Sequence, residues 1–334
     1  MSKHSALIGP ICGLASAILY TLTNIALRHC VEVDPYLVSA VKAAPTVVIL
    51  GPYLLLQLKL ADHDNTAHSN LNSDADSSRT NHSTRNRLPP RHHLRRFIGA
   101  SFLAQFFGNA AFQKALGYIG LAASVPITLG VLIVGGAILG VIILSEPVSR
   151  RKVVAMATLI FAVVILSLPD SFAPSNSQSV SAADILTGSL WAAISGLAYS
   201  FFGVTMRMTL QQGFPSSLLM FLSGVTGTVT LWGYCFIAVG FSVVSQTTPT
   251  QWLAMTAAGI FNFTAFVAIT ASLRLLPVVA VNLINASQVA MAAIAGVILF
   301  GEPMSIRLLT GIALTFIGLV ILARRTRATV VVTD

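Results

Sequence analysis

Long apolar runs alternate with short polar breaks along almost the whole chain. They predict about ten spans: 6–27, 36–58, 97–116, 120–144, 151–168, 185–206, 216–240, 251–272, 278–300 and 305–323. Most are near the ~20 residues needed to cross a bilayer. In lipid a backbone group must be satisfied within the protein, so each span is read as a helix. Spans 3 and 4 are parted only by Gly117-Tyr118-Ile119-Gly120, and spans 8 and 9 only by residues 274–278. The segment 60–95 interrupts the pattern. It is polar, holds His63, His68, His82, His92 and His93, and cannot bury enough apolar surface to fold alone. Metal capture is one reading of those histidines. No pair has a tight ligand spacing on a predicted element, which favours a disordered, soluble loop and no metal site.

The apolar pattern also repeats. At a fixed offset (302 − 146 = 156), Glu146 falls on Glu302, Pro147 on Pro303, Ser149 on Ser305 and Arg151 on Arg307. Gly140-Val141-Ile142 falls on Gly296-Val297-Ile298. Upstream, 13–28 can be laid on 192–207, which pairs Ser16 with Ser195, Tyr20 with Tyr199 and Arg28 with Arg207 (207 − 28 = 179). The chain is therefore expected to be two copies of one unit, 1–168 (with the loop 60–95) and 185–324, followed by a tail 325–334. Five helices per copy is an odd number, so the second copy enters the membrane from the opposite side. The predicted fold is an all-α integral membrane protein of about ten transmembrane helices in two inverted five-helix repeats, a plan that places a substrate site near the midplane between the copies.

Composition agrees with this pattern. Only 9% of the 334 residues are charged and 55% are hydrophobic, against about 25% charged in soluble domains. The apolar run at the N-terminus continues to Leu27, too long for a signal-peptide core of about 7–15 residues. The net charge of +9 carries meaning through its placement. With the N-terminus in the cytoplasm, sixteen Lys and Arg fall on the cytoplasmic side and three (Arg28, Lys114, Arg307) outside, with Lys42 within a span. Both termini are thus expected to be cytoplasmic. The charge is not a nucleic-acid signal; the expected partners are the bilayer and a small-molecule metabolite, with room for a homodimer. Cys12, Cys30 and Cys235 form no framework and read as small core residues.

Polar groups within the spans are the candidates for function, because they are costly in lipid and usually face the bundle interior. All eleven acidic residues lie outside the spans. A proton-swapping carboxylate in the membrane and an intramembrane aspartyl enzyme are both disfavoured. No nucleophile elbow, P-loop, HExxH or paired carboxylates occur. The chain is therefore read as no enzyme, with no catalytic residues and no cofactor. Lys42 lies about 10 Å into its span at 1.5 Å per residue. It either meets an anionic group or snorkels to the interface. Gln105, Asn109 and Gln113 share one helical stripe, and Asn282, Asn285 and Gln288 share an arc of about 120°. Each set either lines a cavity or bonds neighbouring helices. Asn24, Asn262 and the matched pair Tyr20 and Tyr199 complete the candidate substrate-binding set. Glu146-Pro147 and Glu302-Pro303 read as structural turns, the proline opening the next helix and the carboxylate favouring its positive end.

The doubled module "ILSEPVSRRKVVAMATLIFAVVIL" and "ILFGEPMSIRLLTGIALTFIGLVIL" resembles the paired EamA modules of the drug/metabolite transporter superfamily. The resemblance covers the chain outside 60–95 and the two tails. It implies a ten-helix exporter in the cell (inner) membrane, carrying amino acids or related compounds through a cavity between the halves. It also implies a mid-span proline in the fourth and ninth helices, whereas here Pro126 is early in span 4 and span 9 has none after Pro277. The expected function is alternating-access export of small organic metabolites. The alternatives are a permease for nucleotide-sugars or phosphorylated metabolites, and a scaffold or receptor working through the His-rich loop.

Overall fold

The computed structural model describes residues 3–71, 91–146, 149–167, 181–302 and 305–323. Among these residues the regular elements are all helices. The first half holds α1 (Lys3–Arg28), α2 (Pro35–Leu71), α3 (Arg91–Phe102), α4 (Asn109–Leu144) and α5 (Arg150–Ser167), with a π-helical turn, Leu103–Gly108, joining α3 to α4. The second half holds α6 (Ala182–Gln211), α7 (Ser216–Tyr234), a short α8 (Ser242–Gln246), α9 (Pro249–Leu275), α10 (Val278–Asn285), α11 (Gln288–Phe300) and α12 (Ile306–Ala323).

Seven described runs are long and apolar enough to cross a membrane. One of them, His92–Leu144, counts once although Gly120 divides it. Shorter apolar runs, Val153–Ala162 and Leu309–Gly318, lie within α5 and α12. Side chains are sorted as lipid requires. Ile237 (89% exposed) and Ile306 (85%) face outward, while Ser16, Lys42, Ser124, Ser195 and Thr209 are buried. The chain is an all-α integral membrane protein.

Three boundaries depart from expectation. The helix α2 continues past 58 to Leu71, so the polar segment placed at 60–95 begins in helix, and its last residues, from Arg91, open α3. Residues 72–90 of that segment, with His82, lie outside the described residues. Span 9 is two helices, α10 and α11, with Ala286 and Ser287 between them. No proline marks that break.

The break between spans 3 and 4 is a single residue. Gly120 has φ +70° and ψ −176°, a region open essentially to glycine alone. The helix restarts at Leu121, leaving the N–H groups of Leu121 and Ala122 without carbonyl partners. Both carboxylate oxygens of Glu302 accept them: Leu121 N–H donates to Oε1 at 2.8 Å and Ala122 N–H to Oε2 at 2.9 Å. Arg28 Nε lies 3.4 Å from the same Oε1.

The arrangement recurs with the halves exchanged. Val278 N–H, the counterpart of Ala122 (278 − 122 = 156), donates to Glu146 Oε2 at 3.1 Å. The counterpart of Leu121 is Pro277, which has no N–H to donate. Arg207 Nε lies 3.3 Å from Glu146 Oε1, and its Nη1 donates to the Leu273 carbonyl. Each glutamate was expected to favour the helix after its own proline. Instead each holds a helix start in the other half. The cause is the turn before it: Ser145 (φ 54°) and Gly301 (φ 64°) are left-handed, and the Glu146 and Glu302 N–H groups return to the carbonyls of Gly140 and Gly296. The carboxylates are thereby folded back over the bundle. Pro147 and Pro303 lie outside the described residues.

The most extensive helix packing also joins the halves, as α1 with α9, α2 with α7, α4 with α6 and α5 with α12. Where α4 meets α6, a Cβ on Gly196 would stand 2.5 Å from the Thr128 carbonyl. Small residues permit such backbone approach in membranes.

Gly120→Ala meets two obstacles. Its backbone region excludes a Cβ, and that Cβ would lie 2.6 Å from Glu302 Oε1. The substitution is expected to destabilise by about 1–3 kcal/mol or more, read as a lowered Tm of the detergent-solubilised protein. Gly117→Ala, with nothing within 4 Å of its Cβ, is expected to be neutral or to stabilise by up to about 1 kcal/mol.

Candidate functional site

A cavity of about 160 Å³ opens among α1, α2, α4, α6, α9, α10 and α11. It exceeds the ~150 Å³ that accommodates benzene in an engineered protein core. The ten candidate residues from six separate spans all line it. Tyr20 and Asn24 come from α1, Lys42 from α2, and Gln105 and Asn109 from the π-helical turn and the start of α4. Tyr199 comes from α6, Asn262 from α9, Asn282 and Asn285 from α10, and Gln288 from the first position of α11. The matched tyrosines of the two halves thus meet in one space.

Lys42 does not snorkel; it is 5% exposed. Its Nζ donates to Asn109 Oδ1 at 2.7 Å, and the Tyr199 hydroxyl donates to the same oxygen at 2.5 Å. Asn109 Nδ2 in turn donates to Gln105 Oε1 at 2.7 Å, and Gln105 Nε2 to Ser223 Oγ at 3.0 Å. One continuous network therefore runs from α2 through Asn109 and Gln105 to α6 and α7. The π-helical turn sits at its centre. Asn109 N–H bonds the Ala104 carbonyl, five residues back rather than four. Such bulges re-aim side chains and recur at functional sites.

The helix break between α10 and α11 supplies another part of the lining. Asn285 Oδ1 accepts from Ser16 Oγ at 3.3 Å. Asn24, Asn282 and Gln288 line the cavity and make no side-chain hydrogen bond among the described residues. Gln288 is only 4% exposed. Buried amides without partners cost about 1–3 kcal/mol each, so such groups mark a place for water or ligand. Among the described residues no Asp or Glu lines the cavity, and Lys42 is the one charged residue that does.

One residue of the expected stripe departs. Gln113 lies outside the cavity and donates to the carbonyls of Leu27 and Cys30, satisfying the end of α1. The polar pattern gave no sign of the apolar lining. Phe112, Phe202 and Phe266 face the cavity, yet in sequence they look like any lipid-facing phenylalanine. Thr128 also lines it while donating to the Ala192 carbonyl at 3.2 Å. Outside the cavity, Trp191 packs under Lys114, whose Nζ stands 4.3 Å from a ring centroid.

Asn109 is the acceptor on which two donors converge. Asn109→Leu leaves Lys42 and Tyr199 without it and is expected to cost about 1–3 kcal/mol for each orphaned group. Thermal unfolding of the purified variant measures the loss.

Residues 186–324 match the family model described as the EamA-like transporter family. No curated protein matches the chain. Among solved structures, one titled "Crystal structure of protein" is 18% identical, covers 94% of this chain and 97% of its own, and superposes with a TM-score of 0.61. At that identity the likeness concerns the fold alone. The match thus lies in the second half of the chain, and the family it identifies belongs to the drug/metabolite transporter superfamily.

Proposed function

We propose that this membrane transporter of small molecules is an alternating-access exporter of small organic metabolites, amino acids or related compounds foremost. Its working parts are two inverted five-helix repeats, 1–168 and 185–324, that rock about a central site, with both termini in the cytoplasm and the chain in the cell (inner) membrane. The observation that carries this reading is the cavity. A buried lysine, two matched tyrosines and a ring of amides converge there from both halves. Further support comes from the packing, in which helix pairs map onto one another when the halves are exchanged, and from the exchanged glutamate contacts. Half-helices whose ends meet at a central site are a recurring feature of secondary transporters, and α10 and α11 meet at Asn285 and Gln288.

Among the described residues the lining holds no carboxylate, histidine or cysteine, and its polar groups are amides, hydroxyls and one lysine, a set suited to holding a small polar ligand. One buried cation also suits a single carboxylate better than the multiple charges of a nucleotide-sugar.

Liposomes carrying the purified protein are expected to show saturable flux of a carboxylate from a mixed panel of amino acids, purines, sugar nucleotides and organic cations. Lys42→Ala should lower that flux about tenfold or more, since a hydrogen bond to a charged group is worth about 1.5–3 kcal/mol. Wild-type flux in Lys42→Ala would remove the lysine from substrate recognition.

A further inference from the structure

We infer that the cavity selects small monocarboxylates that carry no positive charge, in preference to zwitterionic amino acids of the same shape. The inference rests on the transport reading's placing the substrate in this cavity, and it narrows the substrate class from amino acids and related compounds to those related compounds that lack the ammonium.

The argument is one of charge and hydrogen-bond balance. Lys42 brings one positive charge into the cavity, where it is 5% exposed, and its partner Asn109 is neutral. An ammonium has three donors. One is used on Asn109 Oδ1, and the other two have no partner among the described residues. Among the described residues no Asp or Glu lines the cavity to balance the charge, and the ion pairs of Arg28 with Glu302 and Arg207 with Glu146 are each matched in charge. A buried charge without a counter-charge is unfavourable. A ligand carboxylate supplies the missing charge and accepts the two free donors.

An α-ammonium on the same ligand would undo part of that gain. Attached one carbon from the carboxylate, it stays within several ångströms of Lys42, and no acidic side chain of the lining receives it. Like charges at that range and an effective dielectric near 20 repel by more than the ~1.4 kcal/mol that a tenfold affinity ratio requires. A hydroxyl in its place is neutral and finds partners in the free amides of Asn24, Asn282 and Gln288. Phe112, Phe202 and Phe266 then face the apolar remainder. A dianion such as a phosphate ester would leave one charge unmatched.

The test uses full-length protein in nanodiscs and equilibrium binding by calorimetry. Three pairs differ only in hydroxyl against ammonium: lactate with alanine, 2-hydroxyisocaproate with leucine, and phenyllactate with phenylalanine. The hydroxy acid is expected to bind about tenfold tighter or more in at least one pair and in no pair more weakly. Lys42→Gln should erase the preference and Lys42→Arg should keep it. Equal or tighter binding of the amino acids, a preference that survives Lys42→Gln, or no binding by any hydroxy acid would overturn the inference. Flux of the same compounds into liposomes judges the transport reading separately. Selective binding without flux would sink transport and leave the selectivity standing; flux of both members of a pair together with equal binding would do the reverse.

Discussion

A backbone N–H left bare inside a membrane protein costs several kcal/mol, and this fold meets that constraint at two buried helix starts with a pair of carboxylates. Gly120 breaks the helix before Leu121, and the donors it bares are taken by Glu302. The start of α10 is taken by Glu146. Because each glutamate belongs to the other half, the same bonds that satisfy the backbone also tie the halves together. An arginine from the end of the first helix of a half completes each cluster. The carboxylates are thus neutralised where they are partly buried, which an isolated carboxylate could not be without a large penalty.

Between these two clusters the interior is polar and incomplete. Asn109 gathers Lys42, Tyr199 and Gln105 into one network, and that network fixes the lysine in place. Across the cavity, Asn24, Asn282 and Gln288 remain without side-chain partners among the described residues. Part of the lining is therefore charged and hydrogen-bonded, and part holds unspent hydrogen-bonding capacity. That asymmetry follows from sequence: Lys42 has Leu222 as its counterpart when Pro35 is laid on Pro215, so the second half contributes no second cation.

Much of the site was legible because a polar residue in an apolar run is an outlier with few destinations. Lys42, Asn109 and Gln288 stood out for that reason, and the cavity brings them together. Gln113 shared their stripe but lies beyond the cavity, where α1 ends and leaves carbonyls to satisfy; a helical wheel does not show what stands opposite. Phe112, Phe202 and Phe266 were invisible, since lipid and cavity make the same demand on a phenylalanine. The doubled Glu-Pro turns were found at once. Their partners were not, because capping rules are local and these bonds join residues 180 and 181 positions apart. The break between α10 and α11 carries neither proline nor glycine, so no breaker announced it.

The exchanged glutamates bear on how the protein is made. The ribosome releases the Gly120 turn long before it reaches Glu302, so the helix starting at Leu121 enters the membrane with donors that the chain cannot yet satisfy. Water or the insertion machinery must cover them in the interval. The first half is therefore finished by the second, and a polypeptide stopped short of Glu302 leaves the Leu121 and Ala122 N–H groups without these acceptors.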